Sequence, residues 1–557
     1  MLKRTTGLLQ PLLAILTCAT VASPAVAANV RVVALSGQHS PGMDAGDAFL
    51  AFLYPPSVNN SGLTAFHALA GNSAPNRTAQ GVWSEGRGFL ELAALEDRQA
   101  PGAPTGANFV SLSSPVLNDA GKSAFAGQTS ISNGPSYSGL FTNEAGVTQA
   151  VMLDGAAAPG ASSGVQFRGI IDGIALLNKA GDTASKFFVQ GDDVTSQNDI
   201  GIWAHSAGSL KLIARTGNQA AGVPAGVPYS YLFDWPALND QGELAFAGAV
   251  VSPIGGLGAD SGVWAGAPNN MRLVARHGES APGLPAGVTL DSLFGAVING
   301  GGKTAFAASV VGAGVTASNR YGIWAEDSSG LKLVARTGDA APGAADGALF
   351  NSIQRPVIND AGKVAFVAGL SVTSPNVISS GGLWAGTPGN VELVVRSGSQ
   401  APGTPTGAEF DAFTAPAMNA RGQVAFEARL LTPRPIGRDG PIVGNPAGGV
   451  NSMNDNGLWA TDMQGNLRLI VREGDLFEVG PNDFRTVGSI EFNGSTGNGD
   501  GRASGLNESG QIAFALTFRG GSGGVFVSNL VAVPEPATIA HGSVALVALL
   551  RARRMRR

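Results

Sequence analysis

Aromatic side chains are concentrated in one short segment of the chain, residues 229–235 (YSYLFDW). In a β-strand, alternate residues point to the same face, so Tyr229, Tyr231, Phe233 and Trp235 are predicted to share one. Aromatic rings stack well on the apolar faces of sugars, and the segment therefore predicts a carbohydrate-binding surface. The alternative is that these rings are buried, because Phe233 corresponds to apolar core residues further along the chain.

Three polar residues follow Tyr231 at regular steps of 60 residues, namely Asp291, Asn351 and Asp411. Carboxylates and amides hydrogen-bond well to sugar hydroxyl groups. The predicted ligand-binding set is therefore Tyr231, Trp235, Asp291, Asn351 and Asp411.

Other residue types that carry chemistry form few recognisable motifs. The five histidines show no metal-binding spacing, and there is no nucleophile elbow or phosphate-binding loop. Asn498 and Asp500 stand in a Gly-rich stretch that partly resembles a calcium-binding loop, so they are the metal candidates, with no other cofactor expected. No catalytic residue is predicted, although carboxylate pairs that meet only in space stay open.

An internal repeat must position these residues. The phrase Asn-x-x-Gly-x-x-Ala-Phe begins at Asn59, Asn118, Asn239, Asn299, Asn359, Asn419 and Asn507, with a degraded copy at Asn178. Each copy is followed by Gly-aliphatic-Trp, or Phe in place of Trp, and most then continue into a strand that ends in Arg. Residues needed once per unit are expected to serve the unit. For the strand-ending arginines, anion binding is the functional alternative.

Each unit of about 60 residues contains four short β-branched strands bounded by turn residues, as in residues 348–403. Eight such units predict an eight-bladed β-propeller of four-stranded blades, whose first strands line the central channel. Residues 31–37 resemble a fourth strand without its predecessors, and the last unit lacks a fourth strand. We therefore predict that the N-terminal strand completes the last blade. An open solenoid or two stacked sheets is the alternative.

Two insertions break the period, at residues 430–456 and within residues 477–506. If the last unit begins its first strand at residues 484–492, the second insertion lies on the face opposite to the first. If the strand begins later, both insertions share one face. The sequence leaves both arrangements open.

The two ends differ from the repeat body of residues 28–530. Residues 1–27 have a basic start, an apolar run and the small-residue pattern Ala-Val-Ala, which predicts a secretory signal peptide. Residues 531–557 contain Pro534, Glu535 and Pro536, then an apolar stretch and an arginine-rich end. The chain has a net charge of −5, and the body without these basic ends is more acidic still, which argues against nucleic acid as a partner.

The tail resembles the PEP-CTERM sorting signal of Gram-negative bacteria, with Pro534, Glu535 and Pro536 as its motif. That resemblance implies export through the inner membrane, a transmembrane tail processed by an exosortase, and a final place on the cell surface or in the extracellular matrix. The apolar stretch 537–550 is shorter than a full span. The repeats resemble bacterial surface proteins with NxxGxxAF repeats and a choice of anchor, a family that implies no activity.

These observations together predict an exported, monomeric propeller that binds extracellular polysaccharide or another matrix component without catalysis. The alternatives are a polysaccharide hydrolase or lyase with its site at the channel mouth, and a scaffold without a small ligand. An enzyme would bring a carboxylate pair or a His/Tyr/Arg cluster into one cleft. A binding protein would present an aromatic surface.

Overall fold

Short strands separated by glycine-rich turns fold into eight similar antiparallel sheets. The computed structural model describes residues 29–72, 77–251, 260–344, 347–371, 381–435, 442–443, 448–495 and 499–532. Within these ranges the chain is all-β, without an α-helix, and forms the predicted eight-bladed β-propeller. None of the described residues forms a helix long and apolar enough to cross a bilayer. The predicted signal peptide and the Pro534–Glu535–Pro536 motif lie outside the described residues.

The first four blades are built from consecutive strands. The strand that precedes them is β1 Val30–Leu35. Blade 1 contains β2 Ala48–Phe52, β3 Ser57–Val58, β4 Thr64–Asn72, β5 Arg77–Ser84 and β6 Glu91–Leu95. Blade 2 contains β7 Ala107–Leu112, β8 Val116–Leu117, β9 Ser123–Ile131, β10 Ser136–Glu144 and β11 Val147–Leu153. Blade 3 contains β12 Gln166–Ile170, β13 Leu176–Leu177, β14 Thr183–Gln190, β15 Ile200–Ser206 and β16 Ser209–Arg215. Blade 4 contains β17 Tyr229–Leu232, β18 Ala237–Leu238, β19 Leu244–Val250, β20 Asp260–Ala267 and β21 Asn270–Arg276.

The remaining blades follow the same order. Blade 5 contains β22 Thr289–Ile298, β23 Thr304–Val311, β24 Tyr321–Asp327 and β25 Gly330–Arg336. Blade 6 contains β26 Leu349–Ile353, β27 Val357–Ile358, β28 Val364–Ser371, β29 Gly381–Thr387 and β30 Asn390–Arg396. Blade 7 contains β31 Phe410–Phe413, β32 Ala417–Met418, β33 Val424–Leu430, the small hairpin β34 Arg434–Pro435 and β35 Ile442–Val443, β36 Asn456–Thr461 and β37 Leu467–Arg472. Blade 8 contains β38 Leu476–Gly480, β39 Asp483–Glu491, β40 Ile512–Phe518 and β41 Gly523–Ser528.

The N-terminal strand closes the ring, as predicted. β1 pairs antiparallel with β41, with Val32 opposite Phe526, and so supplies the fourth strand of blade 8. This pairing covers the edge that β41 would otherwise expose, while β38 adds an extra strand beside β39 at the other edge of the same sheet.

A closed circle of hydrogen bonds joins the eight repeat asparagines. Each side-chain Nδ2 donates to the backbone carbonyl of the asparagine in the next blade, at 2.7–3.1 Å, and Asn507 returns to Asn59. The side-chain oxygen of each also accepts backbone N–H groups within its own turn, as Asn299 accepts from Gly301 and Lys303. The repeat asparagine therefore shapes a turn and couples two blades, which explains its presence in every unit.

The six tryptophans of the repeat are structural. All six are fully buried, and each indole N–H donates to a backbone carbonyl in the loop that precedes its blade's first strand, as Trp324 does to Pro282 at 3.0 Å. In five of these blades the first strand adds an aromatic ring packed edge-on against the indole, as Phe350 does against Trp384. The hydrophobic core thus lies between neighbouring blades.

In six of the eight blades the predicted first strand is split into two short strands, whereas blades 5 and 8 each keep one, β22 and β39. In blade 6, residues 349–358 form β26 and β27, separated by a break that includes Pro356. Proline has no N–H for the ladder, and a bulge between Phe350 and Ser352 already shifts the register. The short inner strands of neighbouring blades contact each other around the axis, so these breaks face the channel.

The structure decides the position of the second insertion. β39 is the first strand of blade 8, and the insertion follows it, between Glu491 and Asn507. The insertion therefore leaves the inner strand at the channel itself, instead of extending an outer turn.

Candidate functional site

The insertion of blade 8 fills the channel. We call residues 493–495 and 499–505 the plug segment. Its backbone carbonyls accept hydrogen bonds from inner-strand N–H groups of four blades, namely Val58, Leu177, Leu238 and Met418 at 2.8–3.0 Å. Blades 1, 3, 4 and 7 lie on different sides of the ring, so the plug segment crosses the channel and gives it a floor.

Asp500 and Arg502 belong to this plug segment. Asp500 is fully buried, and Arg502 Nη1 lies 3.6 Å from its Oδ2. Arg502 also donates to the backbone carbonyl of Trp235 at 3.1 Å. A guanidinium therefore faces the carboxylate proposed for calcium, and no group of three or more His, Cys, Asp or Glu among the described residues is placed to hold a metal. Asn498 lies outside the described residues.

Charged side chains of blades 3, 4 and 6 form a row of contacts from one blade to another. Lys186 of blade 3 lies 3.3 Å from Asp172 and donates to the backbone carbonyl of Asp234 in blade 4 at 3.1 Å. The Asp234 carboxylate accepts from the Gly295 backbone at 2.7 Å and pairs with Arg355 of blade 6. A side chain on Gly295, whose φ is +66°, would collide with Arg355, so glycine lets the arginine reach across blade 5. We call Asp172, Lys186, Tyr231, Asp234, Trp235 and Arg355 the channel rim.

Tyr231 is an exception among the inner strands. Its side chain is 50% exposed, and the strand pairing equates it with small residues in the other blades. Those residues are Ala51, Ser111, Gly169, Ser292, Ser352, Ala412 and Ser489. Packing of the blade therefore does not require an aromatic ring at this position. Trp235, 45% exposed, is the one tryptophan outside the repeat position.

The predicted shared face of residues 229–235 is wrong. A bulge between Tyr229 and Tyr231 breaks the alternation, so Tyr229 is buried against Trp264 while Tyr231 is exposed. Phe233 contacts the Tyr231 ring at 5.2 Å and packs against the core cluster of blade 5, as the buried alternative expected for that residue.

The bulge also corrects the predicted correspondence between units. Tyr229 matches the core residues Leu290, Phe350 and Phe410, so Asp291, Asn351 and Asp411 correspond to Ser230 and not to Tyr231. The three residues also make their contacts apart from Tyr231.

Asp411 is buried and paired with Arg429, and Asn351 donates to its own blade at Leu370. Asp291 accepts from Ser309 of its own blade. Of the five predicted ligand residues, Tyr231 and Trp235 lie four residues apart in the inner segment of blade 4, and both are about half-exposed.

Sequence reasoning missed two ionisable residues, the partly buried Glu427 and the fully buried His67. Burial raises the pKa of Glu427 to about 7, helped by the nearby Glu491 carboxylate, and Glu427 lines a cavity of about 310 Å³. Burial lowers the pKa of His67 to about 4, and its ring stacks on Tyr54 at 5.2 Å. Both occupy the second-strand position after the repeat Phe, which is Ala or Val in five blades. That departure from the repeat was a readable signal.

The arginines that end the fourth strands act mainly within their blades. Arg215, Arg336 and Arg472 each donate to a backbone carbonyl of their own blade at 2.7–2.8 Å, and Arg276 pairs with Asp260 at 2.7 Å. These contacts favour a structural role for the strand-ending arginines over an anion-binding site.

A family model describes most of this chain. The family of unknown function DUF7453 matches residues 20–135, 98–229, 224–387 and 345–540. The chain belongs to this family. No curated protein matches the DUF7453 chain in sequence.

Three solved structures are similar to this DUF7453 protein at low identity. An oligogalacturonate lyase in complex with manganese is 11% identical, with 78% of this chain and 99% of that chain covered and a TM-score of 0.34. The β-propeller domain of the trilobed protease from Pyrococcus furiosus is 9% identical, with 77% and 98% covered and a TM-score of 0.35. An ulvan lyase is 11% identical, with 71% and 92% covered and a TM-score of 0.29.

Proposed function

We propose that the propeller binds extracellular polysaccharide at its channel rim. The observation that carries this proposal is the half-exposed ring of Tyr231, at a position that holds Ala, Ser or Gly in every other blade. Packing within the blade does not call for a ring there. An exposed ring at a concave surface is a common means of holding a sugar, because it offers rigid apolar area at little entropic cost.

The neighbours of Tyr231 supply the polar half of a sugar site. Trp235 adds a second exposed ring, and Asp234 with Arg355 adds a carboxylate and a guanidinium side by side. Lys186 and Asp172 extend this row onto blade 3. Such groups accept from and donate to sugar hydroxyls, and their mutual hydrogen bonds hold them in place before a ligand arrives.

Because the plug segment crosses the channel, we describe the site as a cup that is open on one side and not as an open pore. The plug segment hydrogen-bonds to the inner strands of four blades, so a ligand would approach the rim from one side and rest above the floor. Arg502 ties that floor to the backbone of Trp235, which fixes the second ring relative to the first.

Glycan binding by a Tyr231→Ser variant tests the proposal. Serine is the residue of blades 2, 5, 6 and 8 at this position, so the variant is expected to fold normally. Each aromatic stacking contact contributes about 1 kcal/mol beyond area burial, so we expect a Kd at least about fivefold weaker by calorimetry on a panel of neutral and acidic polysaccharides.

The matched control is Phe89→Ser, since Phe89 is 52% exposed on an outer turn. Equal affinity of Tyr231→Ser and wild type, or equal losses in both variants, would refute the rim as the site. Absence of binding to every glycan would favour a scaffold.

We further propose export and surface sorting, on the strength of the two terminal sequences. Residues 1–27 would be removed on export, and an exosortase-type enzyme would process the tail at Pro534, Glu535 and Pro536. Intact-mass measurement of protein from a Gram-negative host with this sorting system should show loss of the arginine-rich end. Soluble extracellular protein that retains Arg557 would contradict it.

A further inference from the structure

The residue that follows the fourth strand has the same task in nearly every blade. In six blades a Ser, Thr, Asp or Glu at this place accepts a hydrogen bond from the backbone N–H at the start of its blade's third strand; these are Ser36, Glu96, Asp154, Thr216, Thr337 and Ser397. Glu473 accepts from the Asn456 side chain of its own blade. Blade 4 has His277 instead, and its ring contacts blade 5.

The contact of His277 assigns its proton. Its Nδ1 lies 2.8 Å from the backbone carbonyl of Asp291, and 3.7 Å from the Asp291 carboxylate. A carbonyl only accepts, so Nδ1 carries the hydrogen and Nε2 of the neutral ring keeps a free lone pair. Nε2 has no hydrogen-bond partner within the described part of the chain, and the side chain is 40% exposed. His277 is therefore an oriented base that is open to solvent.

Arg320 is a second residue that differs from its equivalents in the other blades, and it lies beside the same Asp291 carboxylate. Two residues before the third-strand glycine, blades 3, 4 and 7 carry Asp199, Asp260 and Asp455, whereas blade 5 carries Arg320. Arg320 Nη2 lies 3.8 Å from Asp291 Oδ2, and its guanidinium stacks on the ring of Tyr321 at 5.2 Å. The reversed charge places an exposed cation beside the oriented base.

Asp291 holds the two groups together. Its carboxylate accepts from the Ser309 hydroxyl at 2.9 Å, and its backbone carbonyl accepts from Ser261 as well as from His277. The base belongs to blade 4 and the cation to blade 5, so the site is a cleft between the two. We call His277, Asp291, Ser309, Arg320 and Tyr321 the blade 4–5 cleft.

We propose that the blade 4–5 cleft cleaves uronate-containing polysaccharide by β-elimination. Arg320 would bind the sugar carboxylate and so make the neighbouring C5–H more acidic. His277 Nε2 takes that proton, the C5–H electron pair forms the C4=C5 double bond, and the C4–O4 bond breaks. The departing O4 receives the proton back from His277. The step needs no cofactor or oxidant, and Asp291 acts as a positioning residue.

Hydrolysis fits this cleft less well than elimination. Glycoside hydrolysis ordinarily uses two carboxyl groups on opposite sides of the bond. Here one carboxylate, Asp291, is already hydrogen-bonded to Ser309 and faces Arg320. The proposal goes beyond polysaccharide binding at the channel rim and does not depend on it.

The assay is the ultraviolet absorbance of the conjugated double bond, with polygalacturonate, alginate and hyaluronan as probes. We expect His277→Thr, which installs the residue of blades 3 and 5, to reduce the rate at least about 100-fold without unfolding the protein. Arg320→Asp should raise KM, and Arg320→Lys, which keeps the positive charge, should raise it less. Asp291→Asn should move the pH profile of the rate as well as its size.

Phe89→Ser, on the outer turn, is the control and should leave the rate unchanged. No conjugated product from any of the three probes would overturn the proposal, as would a His277→Thr protein of wild-type rate. Neither result would affect the glycan affinity measured for Tyr231→Ser, so the two proposals fail independently.

Discussion

The closed circle of hydrogen bonds among the repeat asparagines predicts that each blade is energetically coupled to the next. Asn299 is buried and makes three hydrogen bonds. Its Oδ1 accepts from the backbone of Gly301 and Lys303, and its Nδ2 donates to the backbone carbonyl of Asn359 at 2.9 Å. Asn299→Asp keeps the two hydrogen bonds accepted within the turn and removes the one donated to the next blade. The variant therefore isolates the contribution of the inter-blade hydrogen bond to stability.

At neutral pH the variant places a carboxylate against the Asn359 carbonyl. A lost hydrogen bond that leaves a buried acceptor unsatisfied costs about 1–3 kcal/mol. Asn299→Ala, which loses all three bonds, should cost about 3 kcal/mol or more by the same reasoning. The Asp variant should recover at low pH, because a protonated carboxyl donates again. Its pKa is expected to be raised, so the loss is present at high pH and disappears as pH falls.

Urea unfolding of the two variants measures these differences, with Asn269→Asp on an exposed turn as the control. We expect the control to stay close to wild type at every pH. If Asn299→Asp is as stable as the control at neutral pH, the circle of hydrogen bonds does not couple the blades. If it is destabilised equally at low and high pH, the assigned donor is wrong.

Three further predictions concern buried charge and closure. The pKa of Glu427 is raised from 4.5 to about 7, so the free energy of unfolding should fall by about 3 kcal/mol as pH rises through that window, and Glu427→Gln should abolish this slope in urea titrations. The pKa of His67 is lowered from 6.5 to about 4, so stability should fall as pH drops through that window; His67→Phe keeps a ring on Tyr54 and should flatten the acid limb, unless another group causes it. Deletion of β1 exposes the edge of β41 and should produce dimers or aggregates by size-exclusion chromatography, and an unchanged monomer of unchanged melting temperature would refute closure by β1.

Much of the architecture could be predicted because the same sequence unit occurs eight times along the chain. The spacing from Asn239 to Asn299 and onward fixed the number of blades, and an N-terminal fourth strand without predecessors predicted the closure. Trp324 and its equivalents could be assigned to packing because every unit needs one. Repetition separates what a blade requires from what it does not.

The site was harder to predict, for local reasons. A bulge after Tyr229 shifts the register by one residue, so Asp291 was matched to Tyr231 when it corresponds to Ser230. Alternation in sequence assumes an unbroken strand, and an extra residue in the bulge is invisible to it. The plug segment could not be recognised from the sequence, because its partners are backbone N–H groups that leave no pattern in side chains.

The position of His277 held a further signal that was not used. Sequence reasoning asked whether the histidines formed metal-binding pairs with each other, and they do not. A comparison with the equivalent residues of other blades, such as Thr216 and Thr337, would have marked it as the exception. In a repeat protein, departures from the repeat indicate function more directly than motifs do.

Quenching of Trp235 fluorescence tests the claim of a glycan-binding rim most directly. Six of the seven tryptophans are fully buried, and Trp235 is 45% exposed, so acrylamide should quench a single accessible population. We predict that the polysaccharide with the highest affinity in calorimetry protects this population, and that a Trp235→Phe protein shows neither the accessible population nor the protection. Binding that leaves the quenching of Trp235 unchanged would contradict the account.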